Sequence, residues 1–391
     1  MTKISKRPDG RWWTRISVGK DPATGNLKRL CVYGDTKKEV QKKVNEILGK
    51  IQNGTYVEPT NITLETWLYD WLNGRKSHVE ESTWNLYELM IRQHINPILG
   101  DYKLSNLTTR DIQYLLNEKY ENGRIDGKGG LSPRTVKYIY QTLNTALRQA
   151  VKERLISFNV AEAVELPKQS KKEMKALSIK ELEQFFVAAK DSPYFVAFWL
   201  ILSTGLRKGE LLGLCWQDIN FDEKKLNVRR QLVRSKKSGL VLKDTKTEKS
   251  KRMIVLNQEA ITMLKSHKKQ QNEIKLRLGC YDEKENKYGY HDINLVFCSQ
   301  NGKPLDPKNF IRHFKNLLKK AGLPKDIRVH DCRHTYATLS LEAGIPLKTV
   351  SEILGHSTIT ITADVYSHVT DKMKIDAAER MGNLLAPIIK K

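Results

Sequence analysis

Between residues 330 and 369 the chain reads HDCRHTYATLSLEAGIPLKTVSEILGHSTITITADVYSHV. His330, Arg333, His334, His356, Tyr366 and His368 all fall in this stretch. Imidazoles move protons near neutral pH, a guanidinium is a planar fixed cation, and a phenol is a latent nucleophile. Together they are the parts needed to hold and attack a phosphate. His330 and Arg333 lie three apart on a predicted helix and share one face, but His-x-x-Arg alone is a weak signal. Two distant stretches strengthen it. TGLRKGELLGL places Arg207 where an apolar helix meets a glycine turn, and KTEKSKR places Lys246 at a predicted β-turn between two strands. His356 sits at a turn after a predicted helix over 347–354. A metal reading competes, because His330 and His334 have the i, i+4 spacing of a helical zinc pair. Against it, Asp331 stands where that pattern has Glu, and no third ligand is evident.

A chain of 391 residues exceeds one typical core, so two or three domains must carry these groups. Lys and Arg number 68 against 44 Asp and Glu, a net charge of +24. That is well beyond the roughly 2–8 that keeps a small domain soluble, and it favours a polyanion, nucleic acid before membrane. No apolar run is long enough to span a bilayer, and the first residues lack the apolar segment of a signal peptide. The cysteines (31, 215, 280, 298, 332) are odd in number and scattered, as free thiols in a reducing cytoplasm would be.

Residues 1–56 read as a basic hairpin followed by a helix. RWWTRISV and KRLCVYG alternate as strands, and Thr36 is a candidate N-cap for the helix. Trp12, Trp13 and Arg15 could form a DNA-reading surface, with at least one Trp serving the small core. Residues 63–165 read as a helical bundle, with segments at 64–73, 82–97, 109–121 and 132–154 and a short fifth near 160. Its aromatics are expected in the core, and Ser132–Pro133 reads as a helix start. The basic stretch 166–177 reads as a linker. Residues 178–391 form the largest domain, where SPYFVAFWLILSTG is a deeply buried helix and KKLNVRRQLVR, GLVLKDTK and KRMIVL make a small antiparallel sheet. The fold class is therefore multidomain, mainly α with small β-sheets. Arg229, Arg230, Arg234, Lys236 and Lys237 either grip a DNA backbone or form a solvated face. Glu210 is expected to fix the turn presenting Arg207. His334 is expected to pack on its helix, His368 to support its loop, and Cys332 to behave as a small buried hydrophobe.

TGLRKGELLGL, TKTEKSKRMI, HDCRHTYAT, LGH and YSHV, in this order and spacing, resemble the tyrosine recombinases, the phage integrase family. The hairpin–helix and the bundle resemble the arm-binding domain and the SAM-like core-binding domain of lambda-type integrases. The nearest likeness is to integrases of temperate phages or integrative conjugative elements of Gram-positive bacteria. The resemblance implies that Tyr366 attacks the scissile phosphate to give a 3′-phosphotyrosyl link. It implies that Arg207 and Arg333 hold the non-bridging oxygens and that His356 donates a further hydrogen bond. Lys246 would protonate the leaving 5′-oxygen, and His330 would assist as base near the tyrosine. It further implies site-specific integration or excision of a mobile element through a Holliday junction. The partners would be double-stranded DNA at core and arm sites, a homotetramer, and an accessory DNA-bending or excision factor, with no metal, ATP or other cofactor. The C-terminal stripe through Met373, Ile375, Ala378, Met381, Leu384 and Leu385 would dock on a neighbouring protomer or on its own domain. Thr245 and Cys332 depart from the usual pattern, and neither removes a catalytic group. A type IB topoisomerase and a non-catalytic DNA-binding regulator are the rival readings.

Overall fold

The alternating run at Trp12–Lys20 forms a strand in the computed structural model of this chain. The structure describes residues 3–20, 25–53, 56–57, 60–169, 175–235, 238–245, 250–281, 289–356, 358–366, 378–379, 381–383 and 385–386, with the backbone alone at 20, 361 and 364–366. The chain divides into two compact units, Met1–Lys171 and Lys172–Lys391. Both follow the expected class, mainly helical with small sheets.

The first unit holds two separate cores. β1 (Ser5–Lys6), β2 (Trp12–Lys20) and β3 (Leu27–Gly34) form an antiparallel sheet in that order. The period of two sends Thr14 and Ile16 inward and Arg15 outward. α1 (Lys37–Gln52) starts at Thr36, whose side chain accepts from the Glu39 amide, and lays Val40 and Val44 on Ile16 and Val32. Trp12 packs on this small core. Its neighbour Trp13 pairs across the sheet with Tyr33, their rings stacked 6.4 Å apart, and the Arg15 guanidinium lies 5.8 Å from the Trp13 ring. The outer face thus carries an aromatic and basic strip.

The helical core is built from α2 (Leu64–Gly74), α3 (Glu81–Met90), α4 (Asn96–Leu99), α5 (Thr109–Asn122) and α6 (Pro133–Lys152). The helix expected over 82–97 is not continuous: Ile91–Ile95 is a π-turn. Pro97 explains it, because proline offers no amide and crowds the carbonyl one turn back, so the chain widens before it. Near residue 160 the chain makes turns in place of the expected fifth helix. Trp67 and Trp84 are core residues that spend their indole N–H on the Ala146 and Leu72 carbonyls. Leu166 packs on this core.

The second unit opens with Leu177, buried, its amide donating to Thr335 Oγ1. α7 (Ile179–Ala189) begins with a capping box of Ser178 and Glu181. α8 (Phe195–Thr204) is apolar along its length and is buried among Phe185, Phe310 and Phe314. α9 (Lys208–Leu212) follows directly. The expected single sheet is two ladders. β4 (Ile219–Asn220), β5 (Lys225–Val228) and β8 (Arg252–Val255) form one, and β6 (Arg230–Ser235) with β7 (Gly239–Asp244) forms the other. Arg229 lies outside both ladders, between β5 and β6, and there the chain leaves one sheet for the other. α10 (Gln258–Leu278), α11 (Pro307–Lys320), α12 (Asp331–Glu342), α13 (Leu347–Leu354) and α14 (Ile359–Tyr366) complete the unit. No helix among the described residues is long and apolar enough to cross a membrane.

Candidate active site

Four elements of the second unit meet at the C-terminus of α13. That helix ends in a Schellman motif: Gly355, at φ +65°, donates its amide to Glu352 O, and His356 donates its amide to Ser351 O. The turn fixes the His356 backbone and leaves the last carbonyls of the helix open. Three arginines take three of them in succession. Arg252 Nε donates to Ile353 O, Arg333 Nη2 to Leu354 O, and Arg207 Nη2 to Gly355 O at 3.1 Å. The negative end of the helix dipole favours cations there.

Each arginine is delivered by a different element. Arg207 is the N-cap residue of α9, just past the end of α8. The link between these helices needs Gly205, which sits at φ +64°, where a Cβ would come within 2.5 Å of Leu354 and 2.7 Å of Tyr336. Arg333 lies in the first turn of α12, buried, and its Nη1 donates to Gly205 O at 2.8 Å. Burial, then repulsion from Arg207 and Arg252, pushes its pKa down to about 9, which still leaves it charged at neutral pH. Arg252 occupies the inward phase of β8.

Glu210 is the one carboxylate touching this cluster among the described residues, and it is buried. Its oxygens accept from Arg207 N at 2.9 Å, Arg207 Nη1 at 2.8 Å, and Arg252 Nη1 and Nη2 at 3.1 and 2.8 Å. Burial opposes its ionisation, but Arg252 and Arg207 outweigh burial and hold the carboxyl below its usual range. Glu210 therefore fixes both the turn that presents Arg207 and the orientation of its guanidinium.

The histidines of the site are neutral. Burial, then Arg333 and Arg207, pushes His356 down to about 3, and its Nδ1 lies 2.7 Å from Thr362 Oγ1. His330, the N-cap residue of α12, meets His334 edge-on at 4.9 Å. Crowding by the surrounding chain, then His334 and Arg333, pushes His330 down to about 4, although its surface reaches solvent and water screens part of this. His334 packs beside it as expected. No group of three or more His, Cys, Asp or Glu gathers among the described residues.

The structure thus brings Arg207, Arg333 and His356 onto one turn and sets His330 on the helix that carries Arg333. Tyr366 is the last residue of α14, described by its backbone. Lys246 lies outside the described residues, as do Lys236, Lys237, His368, Met373, Ile375 and Leu384. Cys332 is fully buried and its thiol is pushed up to about 12 by burial, so it packs as an inert hydrophobe. The basic run beside the hairpin is not one uniform face. Arg230 turns inward to Cys215 Sγ and the buried Asp218, Arg234 pairs with Asp306, and Arg229 remains exposed. Two residues escaped the sequence reading, Arg252 and Thr362. An arginine in the inward phase of an alternating strand was a signal for the first. For Thr362 there was none, since its partner His356 is set by the turn between α13 and α14.

The model of the phage integrase family matches residues 172–373, and that of the phage integrase N-terminal SAM-like domain matches 63–120. A tyrosine recombinase XerC-like protein of Caldanaerobacter subterraneus subsp. tengcongensis is 34% identical over 388 residues, which cover 94% of this chain and 95% of the relative. The ICEBs1 integrase of Bacillus subtilis is 24% identical, covering 98% of this chain and 100% of its own length. The solved structure of the Tn1549 transposon integrase in complex with transposon right end DNA covers 83% of this chain and 99% of that one, at a TM-score of 0.67 and 25% identity. The family match runs through every residue that builds the arginine turn, and with it the chain belongs to the phage integrase family and is a tyrosine site-specific recombinase.

Proposed function

We propose that the chain cleaves and rejoins DNA with Tyr366 as nucleophile and Arg207, Lys246, His330, Arg333 and His356 as the groups that serve it. The observation that carries this reading is the convergence of Arg207, Arg333 and a neutral His356 on the last turn of α13, next in sequence to the helix that ends on Tyr366. Two guanidinium groups suit the two non-bridging phosphate oxygens, and a neutral imidazole adds a donor without further charge. In the step itself Tyr366 Oη bonds to phosphorus and the P–O5′ bond breaks. The 5′-oxygen takes a proton from Lys246, and His330, neutral at pH 7, can accept the phenol proton. The phosphotyrosyl link conserves the bond energy, so a second 5′-hydroxyl can reverse the step with neither ATP nor metal.

Exchanging two duplexes cuts four strands in two rounds through a Holliday junction, and one nucleophile per strand calls for a homotetramer. Residues 63–165 would bind the core site and residues 178–391 would carry the catalytic groups, with 166–177 as linker. Residues 1–56 would read an arm site with the strip of Trp13, Arg15 and Tyr33. Trp12, in the small core, leaves that surface. The exposed Met381 and Leu385 suit docking of the C-terminal segment on a neighbouring protomer. Accessory DNA-bending or excision factors would set the direction of a mobile element's integration or excision, in the bacterial cytoplasm where its DNA lies. On a nicked suicide duplex, wild type should trap a covalent adduct in EDTA, and Tyr366→Phe should bind the duplex and trap none. An adduct that survives in Tyr366→Phe removes Tyr366 as nucleophile.

A further inference from the structure

We propose that the Thr362 hydroxyl donates to His356 Nδ1 and so holds the imidazole as the Nε2–H tautomer, the form with a free donor for the scissile phosphate. The inference rests on the reading of His356 as a phosphate contact. Thr362 is a positioning residue, acting through His356.

The argument is one of proton bookkeeping. Thr362 is fully buried on α14, and its Oγ1 lies 2.7 Å from His356 Nδ1. Buried helical threonines in this chain commonly give their proton to the carbonyl one turn back, as Thr335 does to Asp331 O and Thr142 to Tyr138 O. Thr362 makes no such bond, and His356 Nδ1 is its one hydrogen-bond partner among the described residues. If Nδ1 carried the imidazole proton, the threonine proton would be buried without an acceptor among the described residues. If Thr362 donates, its proton is satisfied, and a neutral ring must then carry its own proton on Nε2. Nε2 makes no hydrogen bond among the described residues, so that donor is unspent. The same bond ties two parts of the site together. The Schellman turn holds the His356 backbone, Thr362 holds its ring, and Thr362 lies one helical turn before Tyr366.

The test uses the full-length chain labelled with 15N-histidine, His356 being assigned by the signal lost in His356→Gln. Wild type and Thr362→Ser should show His356 as Nε2–H, and Thr362→Val should show a mixture or the Nδ1–H form. On the nicked suicide duplex, Thr362→Val should bind as wild type and cleave roughly 10–100-fold more slowly, by analogy with the loss when the orienting partner of a metal-bound histidine is removed. Thr362→Ser should cleave close to wild type. An Nδ1–H tautomer in wild type overturns the proposal, and so does a Thr362→Val spectrum that matches wild type. The wild-type spectrum decides the matter even where the valine variant fails to fold. Wild-type cleavage by His356→Gln would instead overturn the phosphate role of His356, an outcome told apart by its unchanged tautomer signature in the threonine series.

Discussion

Glu210→Gln is the sharpest probe of the arginine turn. The carboxylate is the single negative group holding Arg207 and Arg252 among the described residues, and it accepts four hydrogen bonds, two on each oxygen. Glutamine keeps one oxygen and replaces the other with an amide nitrogen. That nitrogen would face guanidinium or backbone donors, losing two bonds and the charge together. Removing one partner of a buried ion pair costs about 3–5 kcal/mol, and the retained oxygen places this variant near the lower end. For a unit the size of Lys172–Lys391, each kcal/mol moves the midpoint by about 2–4 °C, so its thermal transition should fall by roughly 6–12 °C. The pH dependence carries a sign. The folded carboxyl titrates below its ordinary 4.5, so its stabilisation is complete above about pH 4.5 and is lost as pH falls through the folded value. The gap between wild type and variant should therefore be full at pH 7 and close in acid. Calorimetry of both proteins at pH 7 and through the acid range well below pH 4.5 measures it. A transition within about 1 °C of wild type at pH 7, or a gap that widens in acid, would refute the ionic account of the cluster.

Three further outcomes are expected. Gly205→Ala forces a Cβ into Leu354 and Tyr336 at a left-handed backbone position, and urea denaturation should show a loss of about 2–4 kcal/mol. His356 and His330 both titrate below their ordinary 6.5, so they favour the folded state fully above about pH 6.5 and progressively less as pH falls. The double variant His330→Gln/His356→Gln should flatten the stability profile between about pH 6.5 and pH 4, with His356 contributing more because His330 is screened by water. Arg15→Ala removes an outward cation from the strip beside Trp13. It should weaken arm-site binding and lower the salt slope by about 1, with core-site cleavage unchanged; an unchanged slope would take that face out of contact with phosphates.

Local chemistry was legible in the chain wherever neighbours in sequence decide it. Ser132–Pro133 and Thr36 start their helices as read, because a cap needs only residues three apart. Glu210 was legible for the same reason, lying three residues from the arginine it holds. Types and spacing also marked Arg207, Arg333 and His356 as a set, since phosphate chemistry demands those groups whatever the packing. Other features depended on contacts between distant segments. The split into two ladders depends on which strands find each other, and β5 pairs with β8 across the whole hairpin between them. Arg252 becomes part of the site only when β8 comes beside α13, and Thr362 only when α14 folds back onto the turn at His356. The sequence alone determined which groups could handle a phosphate. The tertiary structure decided which of them share one helix end, because three carbonyls on a single turn can be reached by arginines from three separate elements only after those elements have packed.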